Sequence, residues 1–354
     1  MLNNRYSVLG VMSGTSLDGV DLAHLQFKVE NHTWSFEILE TQTVAYNDFW
    51  LEQLKSAVNF EEQKLQKLNE DYTQLLGQII AEFIERNQLK NLDAVCSHGH
   101  TILHQPQNSY TLQIGNLPEI AQYCKQTVVC NFRVQDVQLG GQGAPLVPIG
   151  DRLLFTEYDY CLNLGGFSNV SFEALQGRIA FDISPVNTVL NFYANKLGQN
   201  YDDRGKIARS GQLHPILLKA LNELAYYRLP FPKSLGVEYV QSTVLPLMEK
   251  FDLPIQDKLN TFVQHIAYQT AQALPKKSGK LLATGGGAYN DFLMHHLRSE
   301  LPEMHLEVPS AKILEYKEAL IFGLLGVLKL RNEINVLSSV TGAKQDHCSG
   351  MIYR

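Results

Sequence analysis

The segment GVMSGTSLDGVD, residues 10–21, places glycines, hydroxyl groups and carboxylates in one short turn that has no lysine or arginine. Glycine lets a turn bend sharply and bring its main-chain N–H groups close to a ligand. Asp18 would repel a bare phosphate. Its carboxylate can instead contact Mg²⁺ through water when the metal lies between Asp18 and the phosphates. The pattern therefore favours nucleotide phosphates with their metal. A hairpin turn that needs Gly and Asp for its dihedral angles is the open alternative.

Two further glycine-rich turns have a similar character. GGFSN, residues 165–169, opens the second half of the chain as the first turn opens the first half. Two such turns can grip phosphates from both sides of a cleft. TGGGAYN, residues 284–290, can lay bare main chain against a flat ring or a ribose, or can simply permit tight packing. A dinucleotide fingerprint is disfavoured there, because Asn290 replaces its third glycine.

Asp182 is the candidate general base. It ends the apolar strand in AFDISPVN, residues 180–187, just before a turn that contains proline. Open α/β sheets present their sites at such strand ends, and a carboxylate there can accept a proton from an attacking oxygen. An aspartate that only caps a turn is the alternative interpretation.

Histidines and a charged pair mark two more segments. SHGHTILH, residues 97–104, contains three histidines, and a zinc site at His98 and His100 is one hypothesis. The pairing with glycine and threonine favours instead a loop that hydrogen-bonds a ligand. NFRVQDV, residues 131–137, offers Arg133 and Asp136 beside a glycine-rich stretch, either as cleft residues or as a surface ion pair.

The elements that must position these residues alternate between strands and helices. Residues 5–11 and the following VDLAHLQF predict two strands joined by the first turn, and the pattern recurs at DYCLNL, VSFEAL and RIAFDI. Apolar residues within 61–88 share one helical face. Asn290 or Asp291 can cap a helix. The sequence predicts an α/β fold with two similar lobes.

Composition excludes several classes of protein. The chain has 354 residues and a net charge of −6 with no basic run, which argues against nucleic acid or an anionic membrane as a partner. Five cysteines without a C-x-x-C pair predict free thiols in a reducing compartment. The N-terminus lacks the features of a signal peptide, and no apolar run is long enough to span a bilayer. We expect a cytoplasmic protein.

The motifs together resemble those of the anhydro-N-acetylmuramic acid kinase family. The resemblance rests on segments in the family's order from residue 10 to residue 343: GVMSGTSLDGVD, SHGHTILHQP, TLQIGN, NFRVQDVQLGGQGAPLVP, LNLGGFSNVSF, AFDISPVN, YDDRGKIARSG, TGGGAYN, EYKEAL and VTGA. It implies two ribonuclease-H-like lobes, the actin-like ATPase fold, with a nucleotide cleft between them. It also implies ATP and Mg²⁺ as cofactors and an anhydro sugar as substrate.

The resemblance implies an unusual reaction. An aspartate activates water, which attacks C1 of a 1,6-anhydro sugar, and the released O6 takes the γ-phosphate of ATP. The product is N-acetylmuramic acid 6-phosphate, an intermediate of cell-wall recycling. Asp182 matches the catalytic aspartate, and Glu318 matches a glutamate near the phosphates.

The remaining site residues follow by position. The expected nucleotide-binding residues are Gly14, Thr15, Ser16, Leu17, Asp18, Gly19, Val20, Asp21, Gly165, Gly166, Asn169, Gly285, Gly286, Gly287 and Asn290. The expected sugar-binding residues are His98, Thr101, Arg133, Asp136 and Gln142. Asp18 is the expected Mg²⁺ contact, through water. The expected first lobe comprises residues 1–133, and the C-terminal segment of about 337–354 is expected to return to it. The expected second lobe comprises residues 134–336.

The sequence departs from the family pattern at several positions, namely Leu103, Asn131, Val134, Ser184 and Val186. In the family, Ser184 and Val186 correspond to glycines, so the turn after the aspartate is expected to differ in geometry. Asn131 corresponds to a frequent aspartate, and Val134 and Leu103 correspond to frequent basic residues. The lactyl carboxylate of muramic acid favours cationic partners, so the loss of basic residues leaves room for another anhydro sugar, such as levoglucosan. A nucleotide-binding protein of the chaperone or actin kind, without sugar turnover, is the non-enzymatic alternative. The expected assembly is a homodimer.

Overall fold

The computed structural model describes residues 3–14 and 16–354, so Thr15 of the first glycine turn lies outside the described residues. The chain forms two compact units. Unit 1 comprises Met1–Leu154 and Tyr316–Arg354, and unit 2 comprises Phe155–Glu315.

Unit 1 is built on a seven-stranded mixed sheet. Its strands are β1 (Arg5–Ser13), β2 (Val20–Glu30), β3 (Thr33–Val44), β4 (Ala94–Gln105), β5 (Tyr110–Ile114), β6 (Val128–Cys130) and β12 (Met351–Tyr353). Its helices are α1 (Asp48–Ser56), α2 (Glu62–Arg86), α3 (Ile120–Cys124), α4 (Val134–Gln138), α5 (Pro148–Leu154), most of α13 (Ala311–Leu330) and α14 (Ser338–Thr341). The strand order is β12-β6-β4-β1-β2-β3, and β5 pairs with β4.

Unit 2 is built on a five-stranded sheet. Its strands are β7 (Tyr160–Leu164), β8 (Phe167–Ala174), β9 (Gly177–Pro185), β10 (Ser278–Thr284) and β11 (Glu303–Glu307). Its helices are α6 (Asn187–Lys196), α7 (Lys206–Ser210), α8 (Pro215–Asn222), α9 (Val237–Tyr239), α10 (Leu245–Glu249), α11 (Ile255–Ala273) and α12 (Asp291–Glu300), with a π-helical turn at Val240–Val244 between α9 and α10. The strand order is β11-β10-β7-β8-β9.

The two sheets share one topology. In unit 1, β1, β2 and β3 form an antiparallel meander, and β4 and then β6 add in parallel on the other side of β1. In unit 2, β7, β8 and β9 form the meander, and β10 and β11 add in parallel beside β7. This is the ribonuclease-H-like arrangement twice over, so the predicted repeat of architecture and the α/β fold class are confirmed.

Local sequence explains most of these elements. Alternating apolar residues form β2, whose burial also alternates toward its end, and the predicted helix over 61–88 is α2. Asn290 caps α12 by accepting a hydrogen bond from the Leu293 N–H at 2.9 Å, as predicted. The expectation of a loop at SHGHTILH was wrong, because these residues continue β4 beside β1.

Helix α13 packs unusually close to the unit 1 sheet. An added Cβ at Gly10 in β1 would lie 2.1 Å from the main-chain oxygen of Ala319. On the helix itself, an added Cβ at Gly323 would lie 2.3 Å from Leu25, and one at Gly326 would lie 2.1 Å from Cys96. Three glycines therefore let the helix approach three neighbouring strands.

Because of this packing, the boundaries of the two units differ from the predicted lobe boundaries. The expected second lobe began at residue 134 and ran to residue 336, whereas unit 2 begins at Phe155 and ends at Glu315. The glycine- and proline-rich stretch up to residue 150 lies within unit 1, where α5 packs on α13 through Gly150 and Ile321. The chain terminus does pair with the unit 1 sheet, through β12 and β6.

No helix within residues 3–14 and 16–354 is both long enough and apolar enough to cross a bilayer.

Substitution Gly10→Ala should destabilise unit 1, because its methyl group would meet a helix main chain rather than a flexible side chain. We expect a loss of about 2 kcal/mol or more in the free energy of unfolding, measured by chemical denaturation. Gly14→Ala is the control, since the closest non-adjacent atom that the structure describes, Ser16 Oγ, would lie 3.4 Å from its added Cβ. Equal unfolding midpoints for the two variants would contradict the close packing.

Candidate active site

The first glycine turn joins β1 to β2 in unit 1, and its side chains at 16–18 are partly open to solvent. Gly19 has φ of +150°, and an added Cβ would lie 2.4 Å from the Val44 oxygen, so the fold itself requires this glycine. Gly14 is different, because its nearest neighbour would be Ser16 Oγ at 3.4 Å. Ser16 and Asp18 are exposed. The turn is thus a hairpin that can also present main chain and hydroxyl groups at Gly14 and Ser16.

A buried polar network holds the strand that leads into this turn. Ser13 Oγ lies 2.6 Å from Tyr46 Oη and 2.8 Å from His100 Nδ1, and Tyr46 Oη lies 2.5 Å from Tyr72 Oη. Burial lowers the pKa of His100 to about 4, so its ring is neutral at physiological pH. The network ties the end of β1 to β4 and α2.

Glu318 on α13 belongs to the same region of unit 1. Its side chain reaches solvent, yet dense surrounding protein desolvates the carboxyl and raises its pKa. Arg133 opposes this rise, and the negative charge of Asp21 adds to it. Asp21 is fixed by Thr43, whose hydroxyl group donates to Asp21 Oδ1 at 2.6 Å. Next to Glu318, Lys317 forms a buried ion pair with Asp151 at 2.8 Å.

Arg133 is positioned by His98 and by a main-chain carbonyl. Its Nε donates to His98 Nε2 at 2.9 Å, and its Nη1 donates to the Gly143 oxygen at 2.6 Å. His98 therefore carries its proton on Nδ1, which faces the Gly99 oxygen at 2.9 Å. Burial, and then the Arg133 charge, lower the pKa of His98 well below its usual value. His98 is a neutral acceptor that orients Arg133.

The other predicted sugar-side residues differ in exposure. Asp136 is fully buried; Thr341 donates to its Oδ1 at 2.7 Å and the Gly143 N–H donates to its Oδ2 at 2.6 Å. Its carboxylate therefore shapes the 141–143 turn. Gln142 in that turn is exposed, and Thr101 is half-buried.

The second glycine turn lies at Gly165 and Gly166, between β7 and β8 in unit 2. The Gly166 oxygen accepts hydrogen bonds from the Val186 and Thr188 N–H groups, at 2.8 and 3.2 Å. The Gly165 oxygen accepts one from the Asn187 N–H at 3.2 Å. Because its carbonyl groups turn toward the start of α6, the turn is locked to the segment that follows Asp182.

Asp182 lies near the end of β9, opposite Asn169 of β8, and is half-buried. The Leu235 N–H donates to its Oδ2 at 2.9 Å. Oδ1 has no hydrogen-bond partner among the residues the structure describes. Burial raises the pKa of the carboxyl, and the Leu235 hydrogen bond partly offsets that rise. A desolvated carboxylate with one free oxygen suits proton abstraction.

The third glycine turn follows β10. Gly285 has φ of +82° and would place a Cβ 2.6 Å from Asn163, and Gly287 would place one 2.8 Å from Leu164. Both glycines serve packing against β7. Gly286 is exposed, and its added Cβ would meet only Asn187 at 3.7 Å. Asn290 is buried as the cap of α12. Gly286 is thus the member of this turn that is open to a ligand.

The zinc hypothesis for His98 and His100 finds no support in the geometry. Both ring nitrogens of His98 already have protein partners, and His100 Nδ1 faces Ser13. Across the described part of the chain, no group of three or more His, Cys, Asp or Glu side chains could hold a metal ion.

Sequence patterns missed two sets of residues. Tyr226, Lys233 and Leu235 contact Asp182 although they lie more than forty positions along the chain. Tyr46 and Tyr72 support Ser13 from a loop and from α2. One sequence signal could have found the first set: Pro230, Pro232 and Gly236 surround the polar residues Lys233 and Ser234, a pattern that marks a loop.

The whole chain matches known proteins. Residues 6–354 match the family model described as anhydro-N-acetylmuramic acid kinase. A relative with that name from Actinobacillus pleuropneumoniae serotype 5b is 33% identical and covers 100% of both chains. One from Pasteurella multocida is 34% identical, covering 98% of this chain and 96% of its own.

Among solved structures, component A of (R)-2-hydroxyglutaryl-CoA dehydratase from Acidaminococcus fermentans is similar with a TM-score of 0.47 and 13% identity, covering 92% of this chain and 99% of that one. The family follows from the full-length sequence matches, in agreement with the motifs. This chain belongs to the anhydro-N-acetylmuramic acid kinase family.

Proposed function

We propose that the protein is an ATP-dependent kinase that hydrolytically opens 1,6-anhydro-N-acetylmuramic acid and phosphorylates O6. The products are N-acetylmuramic acid 6-phosphate and ADP, as in cell-wall recycling. Membership of the family supports the activity class. The single observation that carries the mechanism is Asp182, a half-buried carboxylate with one oxygen fixed by a main-chain N–H and the other without a hydrogen-bond partner in the described part of the chain.

In the proposed reaction, opening of the sugar and transfer of the phosphoryl group are coupled. Asp182 accepts a proton from water as the water oxygen bonds to C1 of the sugar. The C1–O6 bond breaks, and its electron pair remains on O6. O6 then bonds to the γ-phosphorus of ATP, and the bond from that phosphorus to the bridging oxygen breaks to release ADP. The proton leaves Asp182 for solvent before the next turnover.

The nucleotide is proposed to use the three glycine turns. Gly14, Ser16 and the exposed Gly166 offer main-chain and hydroxyl donors to phosphates, and Gly286 offers an open surface to the nucleoside. Residues such as Gly19, Gly285 and Gly287 shape these turns from within. Asp18 is the side chain we assign to Mg²⁺, through water. Mg²⁺ would neutralise charge on the phosphates.

The sugar is proposed to contact Arg133, Gln142 and Thr101. Arg133 is the cation that suits the lactyl carboxylate, because His98 and Gly143 hold its guanidinium in a fixed orientation. His98 and Asp136 act behind these residues as positioning groups. Glu318, with its raised pKa, is assigned to the phosphate region.

Another anhydro sugar remains the second candidate, supported by the family departures. Two of these departures involve side chains that are buried away from solvent. Ser184 and Val186 are fully buried, and the Ser184 hydroxyl group donates to the Pro185 oxygen at 2.9 Å. Their side chains therefore pack inside unit 2. Leu103, Asn131 and Val134 are half-buried and keep the second candidate open.

We also infer a cytoplasmic location and a homodimer. All five cysteines are free thiols, which suits a reducing compartment. Light scattering of the purified protein tests the dimer.

The reaction itself can be tested in water labelled with oxygen-18. With ATP, Mg²⁺ and 1,6-anhydro-N-acetylmuramic acid, we expect a sugar phosphate that carries one labelled oxygen at C1 and none in its phosphate. Mass spectrometry of the product locates the label. Label in inorganic phosphate alone would identify a simple ATPase. Faster turnover of levoglucosan in the same assay would select the second candidate.

Substitution Asp182→Asn should lower sugar-dependent ADP release by about 10²–10⁴-fold, because the amide cannot take the proton from water. The affinity for ATP should stay within a factor of about two, since Asp182 is not assigned to the nucleotide. Calorimetric titration with ATP is the control for folding and binding. Near-normal turnover in this variant would remove Asp182 from the mechanism.

Substitution Gly286→Ala should weaken ATP binding without destabilising the fold, because the added methyl group has room in the protein but projects where the nucleoside is proposed to lie. We expect the dissociation constant to rise about tenfold, the equivalent of about 1.4 kcal/mol. Thermal unfolding in the absence of ATP should match that of the unsubstituted protein. Unchanged ATP affinity would place the nucleoside elsewhere.

A further inference from the structure

The segment 225–236 runs along β9 and holds residue 182 at three points. The Tyr226 hydroxyl group donates to the Asp182 main-chain oxygen at 2.6 Å. The Asp182 N–H donates to the Lys233 oxygen at 3.1 Å. The Leu235 N–H donates to Asp182 Oδ2 at 2.9 Å. Main chain and side chain of one aspartate are thus fixed by a single segment.

The segment is itself anchored to the core of unit 2. Phe231 stacks on Phe181, the residue before Asp182, with ring centroids 5.3 Å apart and planes 10° apart. Tyr227 Oη lies 2.7 Å from His265 Nε2 on α11. Lys233 Nζ donates to the Tyr226 oxygen at 3.2 Å and lies over the Tyr226 ring at 4.6 Å. These contacts order a loop that has little regular secondary structure.

We infer that Tyr226, Lys233 and Leu235 form a clasp that positions Asp182 so that Oδ1 alone receives the proton from water. The inference rests on the proposed function for the identity of that proton donor. The clasp residues touch Asp182 and not the reacting atoms, so they are positioning residues. A segment that only covered the edge of the sheet would need no more than the main-chain hydrogen bond between Asp182 and Lys233. The bonds from Tyr226 and Leu235 add control over orientation.

Few charged groups compete with the clasp around Asp182. The segment brings Tyr226, Tyr227 and Lys233 to this part of β9, α9 brings Tyr239 and α11 brings His265, whereas Arg228 and Glu238 are exposed. The other titratable groups of the packed elements have partners elsewhere: Asp257 accepts from the Gln212 N–H, Lys258 pairs with Glu249, and Glu173 of β8 pairs with Arg178. Asn169, opposite on β8, is neutral. Tyr239 packs on the Tyr226 ring, and His265 is held by Tyr227 and Asn222. Burial lowers the pKa of His265 to about 3, so it remains uncharged.

The clasp has a predictable effect on the titration of Asp182. A hydrogen bond to the ionised carboxyl favours that form, so its removal raises the pKa. The carboxylate is the active form of a general base, so the acidic limb of the pH–rate profile should move to higher pH. Because two or three such bonds lower a carboxyl pKa by about two units, we expect one bond to contribute about one unit.

The test compares Leu235→Pro with Leu235→Ala in the full-length protein. Both variants shorten the side chain, but only proline removes the N–H that donates to Oδ2. The protein is labelled with ¹³C at aspartate carboxyl carbons, and Asp182→Asn identifies the Asp182 signal. We expect the Asp182 carboxyl in Leu235→Pro to titrate about one pH unit above that in Leu235→Ala. This readout needs no turnover, so it stands apart from the proposed function.

Activity supplies the second readout. In Leu235→Pro the acidic limb of kcat/KM for the anhydro sugar should move by the same amount as the carboxyl titration, with KM for ATP unchanged. Equal titration of Asp182 in the proline and alanine variants would overturn the clasp. If unsubstituted protein turns over no anhydro sugar, the proposed function fails, while the carboxyl titration still decides the hydrogen bond.

A third variant covers the case in which Leu235→Pro does not fold. Tyr226→Phe keeps the ring that packs against Lys233 and Tyr239 but removes the donor to the Asp182 oxygen. We expect kcat to fall about tenfold from lost orientation, with a smaller upward shift of the Asp182 titration. Unchanged kcat and titration in a folded Tyr226→Phe protein would also overturn the clasp.

Discussion

The contact between the Gly10 main chain and the Ala319 carbonyl group is the constraint on which the unit 1 site depends. Gly10 lies in the strand that ends at the first glycine turn, and Ala319 directly follows Glu318 on α13. Because no side chain separates strand and helix at this point, main-chain packing fixes the position of Glu318 relative to that turn. The Lys317–Asp151 ion pair, buried beside it, resists rotation of the helix. A larger residue at position 10 would both displace the Glu318 carboxylate and strain β1.

In unit 2, a loop segment rather than a helix fixes the position of the candidate catalytic residue. Its candidate base lies on β9, an edge strand of the five-stranded sheet. An edge strand exposes unpaired main-chain groups, and proteins commonly cover it. Here the covering segment also donates a hydrogen bond to the Asp182 carboxyl group. Ordering about a dozen loop residues costs conformational entropy. The aromatic stacking of Phe231 and the buried Tyr227–His265 contact offset part of that cost.

Local patterns predicted the elements well and the long-range contacts poorly. The strand–turn–strand starts of both units, α2 and the Asn290 cap follow from residue period and capping chemistry, which act within a few positions. The boundaries at 155 and 315 do not, because they depend on α13 packing against strands more than two hundred residues earlier. His98 and Asp136 were expected at the sugar, yet a linear sequence does not reveal that their polar atoms already face Arg133, Thr341 and Gly143.

The same comparison separates two roles of glycine that a motif cannot distinguish. In TGGGAYN, Gly285 and Gly287 would collide with β7 if they carried a Cβ, so the fold alone explains them. A Cβ at Gly286 would collide with none of the described residues, so the fold gives no reason for it. Gly19 and Gly14 divide in the same way in the first turn. A glycine that packing does not require leaves its main chain open to a ligand, and each of these turns retains one such position.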